Sequence, residues 1–304
     1  MRVGVHLCSS RMNGDPDPRH LRALLALAGE GTFTDAAIAL GISQSAVSRA
    51  LAQLEDLLGT RLVERTTRSL GLTAAGERAV PAASAALRAL AAVREAVSGA
   101  PRPLRLGYSW GALGRRTTTV LQIWRRRHPG VPLEVHRVDA RDAGLRSGVV
   151  DVAVIRGDGD DLHDPAVVSE LLFEEQRVLA LPVGHRLLDE PAPGLDALVG
   201  ETVAVTPPIG TTTRALWPDD AGPARLVRSA NTDEWLTAIA SGDAVGVTTE
   251  ATAFQHPHPD VVFVPAAGAP RVPVLLVWPA VAPHPAVAQL RVLLTDVLRD
   301  GGPS

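Results

Sequence analysis

Lysine is absent: all 30 cationic residues in the 304-residue chain are arginines. That absence removes the lysine a phosphate-binding loop would need, and no glycine-rich loop of that kind is present either. It reads as the codon bias of a GC-rich genome and carries no functional weight. Cysteine is nearly absent too. Cys8 stands alone, so no disulfide can form within the chain, and a reducing compartment is the simplest expectation. No apolar run is long enough to span a bilayer, which argues against a membrane protein. The opening "MRVGVHLCSSRMNGDPDP" has one early arginine, but its apolar run is too short and broken for a signal peptide. A cytoplasmic location is therefore expected, with either Met1 or Met12 as the start. A net charge of -3 excludes a protein that is basic all over, so any nucleic-acid contact must rest on a local cluster. What remains is an ordinary globular composition, 46% hydrophobic and 21% charged, in a chain long enough for two or three domains.

Residues 1–18 read as a flexible tail, with Gly14, Pro16 and Pro18 opposing regular structure. From Arg19 to Ala28, leucines at 21, 24 and 25 recur at helical spacing, and Gly29 and Gly31 end the pattern. Thr34 then offers an N-cap to a short second helix, with Asp35 favoured by its dipole, and Gly41 stops it. Ser43 caps a third helix that runs to about Leu58, ending at Gly59. On a wheel, Val47, Leu51, Leu54 and Leu58 gather on one side of this helix, while Ser45, Ser48, Arg49 and Ala52 fall opposite. A solvated face would more often carry long Glu, Arg and Gln residues. Short side chains let the backbone approach another surface, and Gln44 and Arg49 can present paired donors and acceptors to base edges.

Helix, short helix, glycine turn and longer helix make a helix-turn-helix pattern. "RLVERTTRSLGLT" (61–73) follows, alternating like a hairpin and carrying Arg61, Arg65 and Arg68, as suits a wing laid along phosphates or into a minor groove. Charge is nearly balanced over 19–72, with six arginines (19, 22, 49, 61, 65, 68) against five acids (30, 35, 55, 56, 64). The bland alternative is a small helical domain without DNA.

"GTFTDAAIALGISQSAVSRALAQLEDLLGTRLVERTTRSLGLTAAG" resembles the winged helix-turn-helix of LysR-type transcriptional regulators, matching without a gap from about Arg19 to Ala79. Thr32 stands where serine is usual, Ser45 where proline is frequent, and Val63 where phenylalanine is usual, which removes an aromatic from the helix–wing junction. The resemblance implies that Gln44, Ser45, Ser48 and Arg49 contact bases and phosphates, with Thr34 beside them and Arg65 and Arg68 in the wing. It further implies double-stranded DNA carrying an inverted-repeat promoter site, a small-molecule effector, a homodimer or homotetramer, and RNA polymerase as partners.

Thr73 caps an alanine-rich segment to residue 100 that reads as one long helix. Val80, Ala83, Leu87, Leu90 and Val97 form a narrow apolar seam along it. The seam fits either packing on its own domain or pairing with a second copy, and the second is what the resemblance implies. Pro81 is expected to kink or break the helix.

Beyond residue 100, "LRLGYS", "LEVHRV", "VDVAVIRG", "RVLALPV", "ETVAVTP", "DAVGVTT", "VVFVPA" and "VPVLLVW" read as buried strands with helices between several of them, an α/β domain with mostly parallel sheets. Crossings between two lobes are expected near Leu181 to Gly184 and near Pro265 to Pro273. This arrangement is similar to the effector-binding domain of the same family and so to periplasmic solute-binding proteins. The expected fold class is thus α+β and multidomain. A winged helix-turn-helix (19–72) and a linker helix (73–100) precede a two-lobed α/β effector-binding domain (101–304), with lobe 1 at about 104–180 and 270–304 and lobe 2 at about 181–269. In such folds ligands sit at strand C-termini between lobes. Ser109, Trp110, Asp139, Arg156, Thr206 and Thr248 hold those positions and are the candidate effector-binding residues, each of which also suits a cap or turn.

Competing classes carry less. "GYSWG" (107–111) spells a G-x-S-x-G nucleophile elbow at Ser109, but the strands and oxyanion loop a hydrolase needs upstream are replaced by helices. "HPHPD" (256–260) pairs two histidines without cysteines or paired carboxylates nearby, so it reads as a loop and no metal or cofactor is expected. A purely architectural DNA-binding protein would give no reason for a two-lobed cleft.

Overall fold

The structure is a computed structural model and describes residues 14–65, 70–98, 102–157, 167–206, 210–218 and 221–300. The chain divides into two compact units, Met1–Ala100 with Arg146–Val149, and Pro101–Leu145 with Val150–Ser304. Among the described residues no helix is long and apolar enough to cross a membrane.

The first unit opens with α1 (Pro18–Glu30), α2 (Phe33–Leu40) and α3 (Gln44–Leu58). Its punctuation is local chemistry. Asp17 accepts the Arg19 N–H, and His20 reaches back to the Asp17 backbone, so the helix starts in a capping box. Pro18, expected in the tail, is instead the first helical residue, where its missing N–H costs nothing. Gly29 lies inside α1, and the helix ends at Gly31, whose φ of 73° is left-handed. The cap of α2 is Thr32 rather than Thr34: its Oγ1 accepts the Asp35 N–H at 3.1 Å and donates to the Asp35 carboxylate at 2.6 Å. Thr34 is the second residue of that helix. Ser43 caps α3 as expected, accepting the Ala46 N–H at 3.3 Å.

Strands β1 (Val63–Arg65) and β2 (Leu70–Leu72) pair antiparallel as the expected hairpin. Glu55 fastens this wing to α3, its Oε1 accepting both the Leu62 N–H (2.8 Å) and the Val63 N–H (3.1 Å). Val63 is itself buried, so the junction closes without the aromatic. Leu24, Leu27, Val47, Leu51 and Leu54 share one core with Leu62 and Val63. Leu58 does not join them: it is 43% exposed, and Ala50 takes the place expected of it. Leu58 is the last residue of the helix, one position before the Gly59 cap, and the core closes a turn earlier at Leu54.

Helix α4 (Ala74–Ser98) begins at Thr73, whose Oγ1 accepts the Gly76 N–H at 3.0 Å. It runs through Pro81 without interruption. Val80 and Ala83 are buried in the unit's own core with Leu87 packed against them, whereas Leu90 (45%) and Val93 (63%) stand exposed further along. The seam thus divides: Val80, Ala83 and Leu87 are intradomain packing and Leu90 faces solvent, while the Val97 side chain lies outside the described residues.

The second unit holds two five-stranded sheets. The first orders as β4-β3-β5-β12-β6, from β3 (Leu104–Tyr108), β4 (Leu133–Arg137), β5 (Val152–Arg156), β6 (Val167–Glu175) and β12 (Val272–Pro279). The second orders as β11-β7-β10-β8-β9, from β7 (Arg177–Pro182), β8 (Thr202–Val205), β9 (Arg225–Arg228), β10 (Val245–Thr249) and β11 (Val261–Pro265). All eight expected strands are present, joined by β6 and β9. The sheets are mixed rather than mostly parallel. Pairs β3–β4, β3–β5, β8–β9 and β8–β10 run parallel, while β5–β12, β6–β12, β7–β10 and β7–β11 run antiparallel. The antiparallel members are those flanking the two crossings, because a chain leaving one sheet for the other enters it as a new edge or central strand without a βαβ return.

The second crossing lies at 266–271 as expected, but the first does not lie at Leu181 to Gly184. It falls at Gln176, between β6 and β7, since β7 pairs wholly within the second sheet. Helices α5 (Thr117–Arg127) and α8 (Val287–Asp300) cover the first sheet through Val120, Trp124, Leu290 and Leu294. Helix α6 (Thr232–Ala240) covers the second through Trp235, Leu236 and Ile239, and α7 (Glu250–Gln255) follows β10.

One glycine sets a tight approach. A Cβ on Gly76 would fall within the van der Waals radius of the Leu62 carbonyl oxygen, so α4 can lie against the wing only because residue 76 has no side chain. Gly76→Ala is expected to destabilise the first unit by about 1–3 kcal/mol, the usual scale of overpacking. Denaturant unfolding with amide exchange at Leu62 and Thr73 would measure it, and an unshifted midpoint would contradict this packing.

Candidate functional sites

The first candidate site is the outer face of α3. Val47, Ala50, Leu51 and Leu54 are buried beneath it, which turns Gln44, Ser45 and Arg49 to solvent with Ser48 half-buried beside them. The cap fixes the N-terminal end: Ser43 Oγ lies 3.1 Å from Ser45 Oγ. Thr34 is exposed on α2. Arg65 ends β1 opposite Leu70, and Arg68 lies outside the described residues. This helix offers a guanidinium, a carboxamide and small hydroxyls on one open face, a combination suited to hydrogen bonding along a groove.

The second candidate site is a narrow, half-open cleft in the second unit, with a cavity volume of about 40 Å³. Trp110, from the turn after β3, forms one wall; the second lobe forms the other, with Trp235 and Val247 supplying apolar surface. Threonines dominate the polar lining. Thr248 Oγ1 donates to Thr252 Oγ1 (2.8 Å), Thr212 Oγ1 donates to the Val247 carbonyl (2.8 Å), and Thr211 Oγ1 accepts from Arg177 Nη1 (3.1 Å). Thr206 and Thr232 complete the set.

Of the six candidate effector-binding residues, Trp110, Thr206 and Thr248 therefore line this cleft, and three do not. Arg156 is turned away and sequestered. Its Nε and Nη2 donate to the two oxygens of Glu175 (2.8 and 2.7 Å) and its Nη1 to the Trp110 carbonyl (2.8 Å), leaving the two charged side chains 1% and 3% exposed. Asp139 is exposed and taken up by Arg137 at 2.9 Å. Ser109 is buried, and among the described residues no hydrogen bond joins it to a histidine or a carboxylate. Sequence reasoning missed Thr211, Thr212, Thr232, Thr252 and Trp235. "TPPIGTTT" (206–213) was the available signal, a run of hydroxyls and turn residues directly after a strand.

The "HPHPD" stretch is local structure. His258 Nδ1 accepts the Asp260 N–H at 3.2 Å, and His256 follows the last turn of α7. Among the described residues no group of three or more His, Cys, Asp and Glu side chains could hold a metal. His256 has a lowered pKa, first through burial and second through the nearby Arg137 charge, with Asp233 opposing. The unfolded chain therefore binds the proton more readily than the folded one, so stability falls as pH drops through and below the ordinary histidine value of 6.5. His256→Gln should flatten the loss of thermal stability between about pH 7.5 and 5.5. A wild-type slope matching that of the variant would remove His256 as its source.

Comparison with known proteins bears on both sites. Residues 18–77 match the family described as "Bacterial regulatory helix-turn-helix protein, lysR family", and residues 98–299 match "LysR substrate binding domain". The HTH-type transcriptional regulator ShiR of Corynebacterium glutamicum (strain R) is 33% identical over 262 residues, 81% of this chain and 87% of that protein. A probable hydrogen peroxide-inducible genes activator of Mycobacterium avium is 39% identical over 173 residues, so the chain spans about half of that relative. Among solved structures, a full-length OxyR from Pseudomonas aeruginosa, carrying one cysteine-to-aspartate substitution, superposes with a TM-score of 0.54 at 23% identity, covering 94% of this chain and 95% of that one. CbnR complexed with its target DNA gives 0.51 at 22% identity, covering 93% and 99%. At such identities the structures speak for the fold alone.

Proposed function

The chain belongs to the LysR family of DNA-binding transcriptional regulators with an effector-binding domain, and on that premise we propose which residues perform each task. Helix α3 enters the major groove of an inverted-repeat promoter site, with Gln44 and Arg49 on base edges and Ser45 and Ser48 on bases or phosphates. Thr34 and the wing arginines Arg65 and Arg68 contact flanking phosphates. The observation that carries this is the capped N-terminus of α3, whose polar face is open while the opposite face is buried in the core. Residues 19–72 are taken as the DNA-contacting domain, 73–100 as the helix that pairs with a second copy, and 101–304 as the effector-binding region. The exposed Leu90 and Val93 favour pairing along the second half of α4, in a homodimer or a tetramer built from two.

The cleft between the lobes is proposed to take a small effector with oxygen atoms for the threonine hydroxyls and an apolar or flat portion for Trp110 and Trp235. Binding that favours one arrangement of the lobes would change promoter geometry and, through it, recruitment of RNA polymerase in the cytoplasm. Peroxide sensing, suggested by the name of one group of relatives, is not supported as an intrachain thiol–disulfide switch, because Cys8 is the only cysteine in this sequence. Regulation rather than catalysis is the role proposed for Ser109 and its neighbours.

Arg49→Ala is expected to weaken binding to the specific site by about 1–3 kcal/mol and relax the preference at one base position. Arg68→Ala should weaken specific and non-specific binding alike and lower the salt slope by about one. Fluorescence anisotropy with promoter DNA from beside the gene, across a salt series, reads both; unchanged affinity and slope in the pair would overturn these contacts. For an effector found by thermal-shift screening, Thr248→Val should reduce affinity, whereas Asp139→Asn should leave it alone, as calorimetry would record.

A further inference from the structure

Arg177 is the first residue of β7 and the neighbour of Gln176, where the chain first crosses between lobes. Its carbonyl accepts the Ala266 N–H at 3.0 Å, which joins it to the start of the second crossing. Its side chain is buried, and among its hydrogen bonds Nε donates to the Pro270 carbonyl at 3.0 Å and Nη1 donates to Thr211 Oγ1 at 3.1 Å. Pro270 belongs to the second crossing, and Thr211 lines the cleft. One arginine therefore touches both crossings and the cleft wall. The adjacent Thr212 provides the contrast, since its hydroxyl ends on the Val247 carbonyl inside the second sheet and reaches neither crossing.

We propose that Arg177 is the positioning residue that transmits occupancy of the cleft to the crossings, with the Thr211 hydroxyl as its input and the Pro270 carbonyl as its output. The inference rests on the reading of the cleft as an effector site. A ligand hydroxyl or amide that donates to Thr211 Oγ1 would take the second lone pair of the oxygen that Arg177 already donates to, drawing the hydroxyl toward the ligand and lengthening the bond from Arg177. The guanidinium then shifts, and the bond to Pro270 weakens because the fork is rigid and its N–H groups move together. The two crossings are the covalent hinges of the lobes, so a changed hold on 266–271 changes the balance between lobe arrangements, as differential affinity for two states requires. Arg177 contacts no ligand in this scheme. The effector class it implies is a small molecule with a hydrogen-bond donor directed at Thr211.

Hydrogen exchange on the full chain tests the link without a ligand. The reporters are the Ala266, Ala267 and Ala269 amides, bonded to the Arg177, Pro193 and Ala266 carbonyls. Thr211→Val should speed their exchange by about tenfold, the low end of the scale for one hydrogen bond to a charged group. Thr211→Ser should restore the wild-type rate, and Thr212→Val should leave it unchanged. Arg177→Lys should behave like Thr211→Val, because an ammonium lacks the planar fork that sets two N–H groups on separate acceptors; the threonine variants decide the matter if that chain does not fold. Rates in Thr211→Val within about twofold of wild type, or equal acceleration in Thr212→Val, would overturn the coupling. Promoter DNA affinity measured on the same preparations tests the regulator reading by itself, so loss of one result does not mask the other.

Discussion

The buried pair of Arg156 and Glu175 is the constraint around which the second unit is arranged. Two charges that are almost wholly removed from water survive only with complete hydrogen bonding, since the desolvation cost is several kcal/mol per ion. The bidentate contact supplies two of the bonds and the Trp110 carbonyl a third. Glu175 ends β6 at the point where the chain leaves the first sheet, and Arg156 ends β5 beside the turn that carries Trp110. The pair therefore fixes where the first crossing begins and where one wall of the cleft stands. Its position explains why a strand-end arginine next to a predicted ligand site is structural: the charge is spent within the protein.

Local chemistry was the legible part of this chain. Ser43, Gly31, Gly41 and Gly59 mark helix ends because caps and left-handed residues act over three or four positions. The eight strands with apolar runs or apolar alternation, such as "LEVHR" in β4, were readable for the same reason. Two strands escaped. β6, "VVSELLFEE", lies at a sheet edge with much of its surface in solvent, and β9, "RLVR", is a four-residue edge with an arginine at each end. Missing β6 displaced the first crossing by about five residues, since the next apolar run, β7, was then assigned to the wrong lobe.

Site residues were legible only as far as position implies direction. Trp110 and Thr206 follow strands and Thr248 lies near the end of one, and the cleft lies there; Arg156 ends a strand and Asp139 follows one, but each meets an opposite charge first. Which partner a charged group finds is a tertiary fact. The choice between Thr32 and Thr34 as a cap, two positions apart with the same hydroxyl, was decided by where the backbone leaves the extended region. The apolar seam of α4 shows the same limit: periodicity revealed the stripe, but only packing showed that Val80 and Ala83 are consumed at home while Leu90 and Val93 are not.

The threonines of the cleft have a thermodynamic consequence. Thr248 is bonded to Thr252, Thr212 to a sheet carbonyl and Thr211 to an arginine before any guest arrives. The protons of Thr212 and Thr248 are already spent, so a hydrogen-bond acceptor would have to displace a partner there, whereas a donor would meet lone pairs still open. At those two positions the hydroxyls would favour a partner that donates over one that only accepts.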